Sequence, residues 1–256
     1  MADCYRELEF DLPNALTDTL VGMFESMQSG ALNEANLQAV EQDAQGVYQI
    51  FLDEELVYVG KTDADAGLGL RLARHSRKIR GRMHLDPAAV RFKAIRVFVF
   101  TVMDLEQLII RHYRELFKVQ LDWNNSGFGS NDPGRNRDHS ALKDGHFDLL
   151  YPINLDHNVK IPKAFVRVST NVAGLLSVLK NNAPYTIRFE TEVKGRKLPH
   201  PDLLAASVVL QAGDKTVRKV LQQIRASLNS AWQVTALPGY VIVYKESVRY
   251  VRGESL

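Results

Sequence analysis

Residues 46–61 read GVYQIFLDEELVYVGK, and the fold turns on how this stretch is taken. β-Branched and aromatic residues run on both sides of an acidic break at Asp53 to Glu55, the pattern of two strands joined by a tight turn. Tyr48 lies on the first arm and Tyr58 on the second. A three-residue loop centred on Asp53 places them directly opposite each other. A slip of one residue separates them, because side chains alternate between the two faces of a strand.

Outward from the hairpin, residues 68–80 read as a basic helix and 92–101 (FKAIRVFVFT) as a buried strand. Residues 104–118 form a helix with Leu105, Leu108, Ile109, His112 and Leu116 along one side. Upstream, 14–28 carry apolar residues at helical spacing with Asn14 as the cap, and 33–42 read as a second short helix. Residues 122–140 (DWNNSGFGSNDPGRNRDHS) are crowded with Gly, Asn, Asp and Pro and lack periodicity, which predicts a long loop rather than a buried element.

A linker near residues 155–163 leads to a second unit. It has strand-like stretches at 164–169, 185–192 and 239–245 and helical ones at 171–181 and 215–229. In the last helix Val217, Leu221, Ile224 and Leu228 make a core stripe, with Arg218, Lys219, Gln222 and Arg225 on the other faces. The class expected is α+β: a small antiparallel sheet flanked by helices over 46–156, a helical extension over 1–45, and a further α+β unit over 157–256 serving specificity or oligomerisation.

A chain of 256 residues that is 45% hydrophobic can bury a substantial core. Cys4 is the single cysteine, so neither an internal disulfide nor a cysteine-rich zinc site can form. His139 and His146 have no cysteine partners and read as solvated loop residues. Asp3, Glu7, Glu9 and Asp11 stand where a secretory signal needs positive charge, and no apolar run is long enough to span a membrane. A soluble, cytoplasmic protein is expected.

The net charge of +2 hides a lopsided distribution. Residues 1–45 hold one basic and nine acidic residues, 61–100 hold ten basic and three acidic, and 157–256 hold fifteen basic and six acidic. Two basic blocks separated by acidic ones suit a polyanion met by particular surfaces.

Arg71 and His75 are spaced i, i+4 and project from one helix face. Glu106 opens the later helix, Asn124 opens the loop, and Asn125 follows it. Arg74, Arg77, Lys78, Arg80 and Arg82 extend the basic helix and can track a phosphate backbone, while Asn131, Arg135 and Arg137 in the loop can reach base edges.

Together these residues resemble the GIY-YIG nucleases. GVY at 46–48 and YVG at 58–60 match the two name motifs, with valines 47 and 59 in place of isoleucine. Arg71, His75, Glu106 and Asn124 follow in the family's order. The chain is most similar to the Type II restriction endonucleases of SacII-like specificity. The shared segments are YVGK, LRLARHSRKI at 70–79, EQLIIRHY at 106–113 and WNNSGFGSNDPG at 123–134.

The resemblance covers about residues 40–155 and implies a magnesium-dependent endonuclease, with manganese as a substitute, cutting double-stranded DNA at a palindrome of the CCGCGG type. It implies Glu106 as the metal ligand, Tyr48, Tyr58, Arg71, His75, Asn124 and Lys61 in the catalytic set, and a DNA methyltransferase as genetic partner. One metal site cuts one strand, so a palindromic double-strand break implies a homodimer or larger even assembly.

The general base is left between two groups. Tyr48, with a reference pKa near 10, needs a nearby cation such as Lys61 to act as phenolate, whereas His75 titrates near neutrality. Two alternatives stand beside the restriction enzyme: a repair or mobile-element nuclease on the same site, and a non-catalytic DNA-binding regulator.

Overall fold

A computed structural model describes the chain except residues 1–3, 5, 8, 63–65, 99–104, 131, 133, 193–197, 212, 214 and 215, and the side chain of Leu116. Two compact units are present. The first takes the chain up to Ser76 together with Asp86–Asn125, and the second takes Arg77–Leu85 with Ser126–Leu256.

The first unit begins with α1 (Leu12–Ser26), β1 (Gly30–Ala31) and α2 (Glu34–Leu37). The cap of α1 is Asp11, whose carboxylate accepts from the Asn14 backbone N–H at 3.0 Å; Asn14, the expected cap, lies inside the helix. Pro13 in the first turn explains the earlier start, since a missing N–H costs nothing there. Next come β2 (Gly46–Leu52), β3 (Glu55–Thr62), α3 (Leu68–Arg80), β4 (Val90–Arg96) and α4 (Leu105–Leu116). The strand expected over 92–101 thus starts two residues earlier and leaves the sheet at Arg96; residues 99–101 lie outside the described residues.

The four strands form an antiparallel sheet in the order β1-β4-β2-β3. Val47, Val59 and Ile95 face one way and pack with Leu20, Val21 and Phe24 of α1 and Leu105, Ile109, Ile110 and Tyr113 of α4. Full burial of a side chain such as Phe24 contributes roughly 2–3 kcal/mol, so the N-terminal helix is part of this core rather than an appendage.

The hairpin register differs from the expectation. The turn has two residues, Asp53 and Glu54, both at positive φ (49° and 67°), as a type I′ connection requires. It pairs Leu52 with Glu55 and Phe51 with Leu56, but the next pair is Ile50 with Tyr58, so Val57 is an extra residue in β3. Tyr48 then stands opposite Gly60 rather than opposite Tyr58. Without this bulge the two-residue turn would set Tyr48 against Val59 and turn the two tyrosines to opposite faces. The extra residue restores the shared face. The carbonyl of Val57 accepts from the Trp123 N–H at 2.9 Å.

In the second unit α5 (Phe147–Leu150) is followed by β5 (Ser169–Asn171), α6 (Val172–Asn182), β6 (Thr186–Phe189), α7 (Pro201–Ala205) and β7 (Ser207–Val209). The chain ends with α8 (Val217–Ala226), β8 (Gln233–Leu237), β9 (Tyr240–Tyr244) and β10 (Glu254–Ser255). Strands order as β10-β8-β9-β6, with β6 parallel to β9, and β5 pairs with β7 separately. The strand expected over 164–169 is instead a 3₁₀ turn at Lys163–Phe165, with β5 beginning at Ser169. One face of the larger sheet packs Ile187, Val234, Val241 and Val243 against α6 and α8, where Val217, Leu221 and Ile224 form the expected stripe with Val220. The α+β class read from the sequence is the one observed.

Arg82, expected as a backbone-tracking surface cation, is only 7% exposed. Its guanidinium lies 2.9 Å from Asp148 and donates to the Tyr151 carbonyl at 3.0 Å. Gly239 makes room for this pair, since a Cβ there would stand 2.4 Å from the Asp148 carboxylate. Burial alone would raise the Asp148 pKa, but Arg82, Lys78 and Arg137 outweigh it and hold the carboxyl below its ordinary value. A depressed folded-state pKa contributes stability above the unfolded value near 3.9, lost as pH falls through the folded one. Asp148→Ala should therefore cost about 3–5 kcal/mol in urea unfolding at pH 7, because it strands a buried guanidinium. Asp148→Asn should flatten the fall in stability below about pH 4.

Candidate active site

Strand β3 is an edge of the first sheet, and the site is built on and around that edge. Tyr48 and Tyr58, on the face opposite the valines, meet α3, with ring centroids 6.0 Å apart. His75, 2% exposed, lies 5.6 Å from each ring, and its Nε2 is 2.8 Å from the Tyr48 hydroxyl oxygen. One turn earlier on α3, half-buried Arg71 is within hydrogen-bonding reach of both phenol oxygens. The i, i+4 spacing thus delivers a guanidinium and an imidazole to one pair of hydroxyls.

Glu106 arrives from the other side of the sheet. It sits in the first turn of α4, where the helix dipole favours a carboxylate, and accepts from the Lys61 backbone N–H at the β3 edge at 3.3 Å. It is close enough to Tyr58 to act on that phenol electrostatically. The residues Tyr48, Tyr58, Arg71, His75 and Glu106 are therefore gathered from two strands and two helices.

The electrostatics narrow what each can do. Burial pushes the Tyr48 phenol well above the ordinary tyrosine value, Tyr58 adds to the rise, and Arg71 opposes it. Burial and then Glu106 raise Tyr58, again against Arg71. Burial opposes the charge on Arg71, but the two tyrosine oxygens more than compensate, so it stays a guanidinium. The cation beside Tyr48 is Arg71 rather than the Lys61 suggested by the sequence, and both phenols keep their protons near neutral pH.

Asn124 has a different place. Its side chain accepts from the Val59 N–H and donates to the Val59 carbonyl, both at 2.9 Å, so it binds the open edge of β3 as a neighbouring strand would. Asn125 is exposed at φ 65°.

Of the cations expected to meet DNA, Arg74 and Arg80 are exposed on α3. Arg77 donates to the Lys180 and Ala183 carbonyls, and Lys78 to the carbonyls of Gly127 and Phe128 at 3.0 and 2.7 Å. Arg135 forks onto Glu190 (3.1 and 2.9 Å) and lies 4.0 Å over the Tyr244 ring. Arg137 bonds Asp148 and lies over Tyr240. Asn131 lies outside the described residues. The Gly-rich segment is also less open than its composition predicts. Trp123 and Phe128 are each 2% exposed, because two large aromatics in a polar string gain more from burial than the string gains from solvent.

Residues 55–154 match the family model described as the Eco29kI GIY-YIG domain. This stretch is similar to a GIY-YIG domain. The match supports a nuclease of that family and implies DNA as substrate. It begins at Glu55, so Tyr48 precedes it and joins the site through the hairpin. No curated protein matches the chain. Among the described residues no helix is long and apolar enough to cross a membrane.

Gly60 was read from the sequence only as part of a motif. In the structure the Tyr48 ring lies directly over it, and a Cβ would stand 2.5 Å from the Tyr48 hydroxyl and 2.8 Å from the Tyr58 ring. Gly60→Ala should displace the Tyr48 phenol and lower the plasmid-nicking rate by about 100-fold. The far-UV circular dichroism should be unchanged.

Proposed function

We propose that the chain is a site-specific Type II restriction endonuclease that hydrolyses double-stranded DNA, leaving 5′-phosphate and 3′-hydroxyl ends. The observation that carries this reading is the 2.8 Å approach of Tyr48 to His75, set beside Arg71 and Glu106 on one sheet edge. Phosphodiester hydrolysis needs an attacking water, a proton acceptor, and positive charge at the phosphoryl oxygens. Each requirement has a residue here.

The Tyr48 phenol, kept protonated by burial, lies 2.8 Å from His75 Nε2; with the imidazole proton on Nδ1 it donates to Nε2 and turns its oxygen to a water. As that water gives up its proton to the Tyr48 oxygen, the phenol proton passes to His75. This relay needs no standing phenolate. Arg71 offers a forked, permanently charged donor to the phosphate, and the Tyr58 hydroxyl orients the same group.

Among the described residues no three His, Cys, Asp or Glu side chains cluster to hold a metal ion. A lone carboxylate still suits magnesium, which keeps much of its water and takes one or two carboxylates together with substrate phosphate. Glu106 would hold it. The ion, when bound, supplies charge neutralisation at the phosphate and at the departing 3′ oxygen.

Exposed Arg74 and Arg80 suit sequence-independent backbone contacts. The WNNSGFGSNDPG string favours a SacII-like, GC-rich palindrome over a repair or mobile-element role. The presence of all five site residues argues against a non-catalytic regulator. A palindrome calls for two chains, hence a homodimer or larger even assembly, and a restriction role calls for a cognate DNA methyltransferase in the same cytoplasm.

Incubation with phage DNA and magnesium, followed by sequencing of the ends, tests the reading. Ends at one palindrome support it, and intact DNA across divalent metals overturns it. Glu106→Ala should keep DNA affinity and abolish cleavage. Arg71→Lys should lose at least about 10-fold in rate, since it keeps the charge and loses the fork.

A further inference from the structure

The loop arginines chosen from the sequence are already engaged within the second unit, which raises the question of which cations there are open to a ligand. A cavity of 270 Å³ in this unit is lined by Arg137, Asp138, Asp148 and Tyr240 and by Arg249, Tyr250 and Arg252 of the strap, the segment 246–253. A second, more open cavity along the same strap is lined by Arg225, Glu246 and again Arg249 and Arg252.

The carboxylates in both are already matched. Asp138 pairs with Arg188 at 2.8 Å, Asp148 with Arg82 and Arg137, and Glu246 lies 3.8 Å from Arg135. The positive charge left over is that of the strap and of Arg225, whose guanidinium donates to the Leu228 carbonyl at 3.3 Å. Arg252 reaches only Asp144, at 3.5 Å and fully exposed, a pairing that solvent renders weak. Among the described residues Arg249 has no ion-pair partner.

The strap is held so that these two guanidiniums project from a fixed backbone. Tyr250 between them is buried, donates its hydroxyl to Glu246 at 2.6 Å, and stacks on the exposed His139 ring at 5.4 Å. Gln233 ties the strap upstream of Arg249, accepting from the Val248 N–H at 3.0 Å and donating to its carbonyl at 2.7 Å. Arg252 itself stands at φ 66°, a left-handed conformation unusual for arginine. Val251 at the tip is 88% exposed. Two exposed forks on a held backbone suit the phosphate oxygens of a nucleic acid, which guanidinium matches in geometry as well as charge.

We infer that the strap bearing Arg249 and Arg252 is a second DNA-contacting surface, which grips the phosphate backbone through the C-terminal unit. The inference rests on the nuclease reading for its choice of DNA as the polyanion. It assigns the strap an affinity role and leaves base reading to other groups.

The test is binding of the full-length protein to a fluorescein-labelled random-sequence duplex without divalent metal, followed by anisotropy across a potassium chloride series. Removing one arginine–phosphate pairing should lower the slope of log affinity against log salt by about 0.9, so Arg249→Ala with Arg252→Ala should lower it by nearly 2. The paired lysine variant, which keeps the charges, should retain most of the slope. Both positions are exposed, and an unchanged thermal midpoint shows that the fold is intact.

An unchanged slope overturns the inference, as does competition by poly-glutamate but not by unlabelled duplex. Cleavage in magnesium, measured separately, keeps the two readings apart. A protein that shows the slope change and leaves DNA intact supports the strap and sinks the nuclease reading; one that cuts with the slope unaltered does the reverse.

Discussion

A β-strand returns a side chain to the same face only every second residue, so a single extra residue decides whether the two hairpin phenols can meet. In this chain that residue is Val57. The two-residue turn at Asp53 and Glu54 fixes the pairing next to it in the wrong parity for Tyr48 and Tyr58 to share a face, and the bulge corrects the parity before the tyrosines are reached. Trp123 and Asn124 then fasten the altered strand by bonding the Val57 carbonyl and both backbone groups of Val59. The long polar string after α4 thus begins by securing the edge on which the site stands.

With the phenols on one face, the rest of the site follows from helix geometry. One turn of α3 separates Arg71 from His75, so both side chains reach the same tyrosine pair. The opposite face of the sheet carries Val47, Val59 and Ile95 into a core with α1 and α4, and this fixes the start of α4, so that Glu106 reaches round the edge to Lys61. Low solvent access keeps both tyrosines neutral, with the Tyr48 hydroxyl 2.8 Å from His75 Nε2.

The second unit obeys a different constraint, the pairing of its arginines with carboxylates. Arg82 and Arg137 share Asp148, Arg188 takes Asp138, and Arg135 takes Glu190, with Tyr240 and Tyr244 lying flat beneath three of the guanidiniums. Cations that look free in a linear sequence are spent on structure here. Arg249 and Arg252 near the C-terminus are instead exposed.

Residue type and spacing alone determined the α+β class, the hairpin, and the basic helix with Arg71 and His75 on one face, because strand alternation and helical periodicity are local properties, while the candidacy of Glu106 came from the resemblance of the motifs to a known family. The register that brings Tyr48 over Gly60 was not legible, since a bulge leaves the composition of a strand unchanged. The edge-binding role of Asn124 and the internal pairing of Arg82, Arg135 and Arg137 were equally hidden. They depend on partners distant along the chain, such as Val59, Asp148 and Glu190, which only the folded chain brings within a hydrogen bond's length.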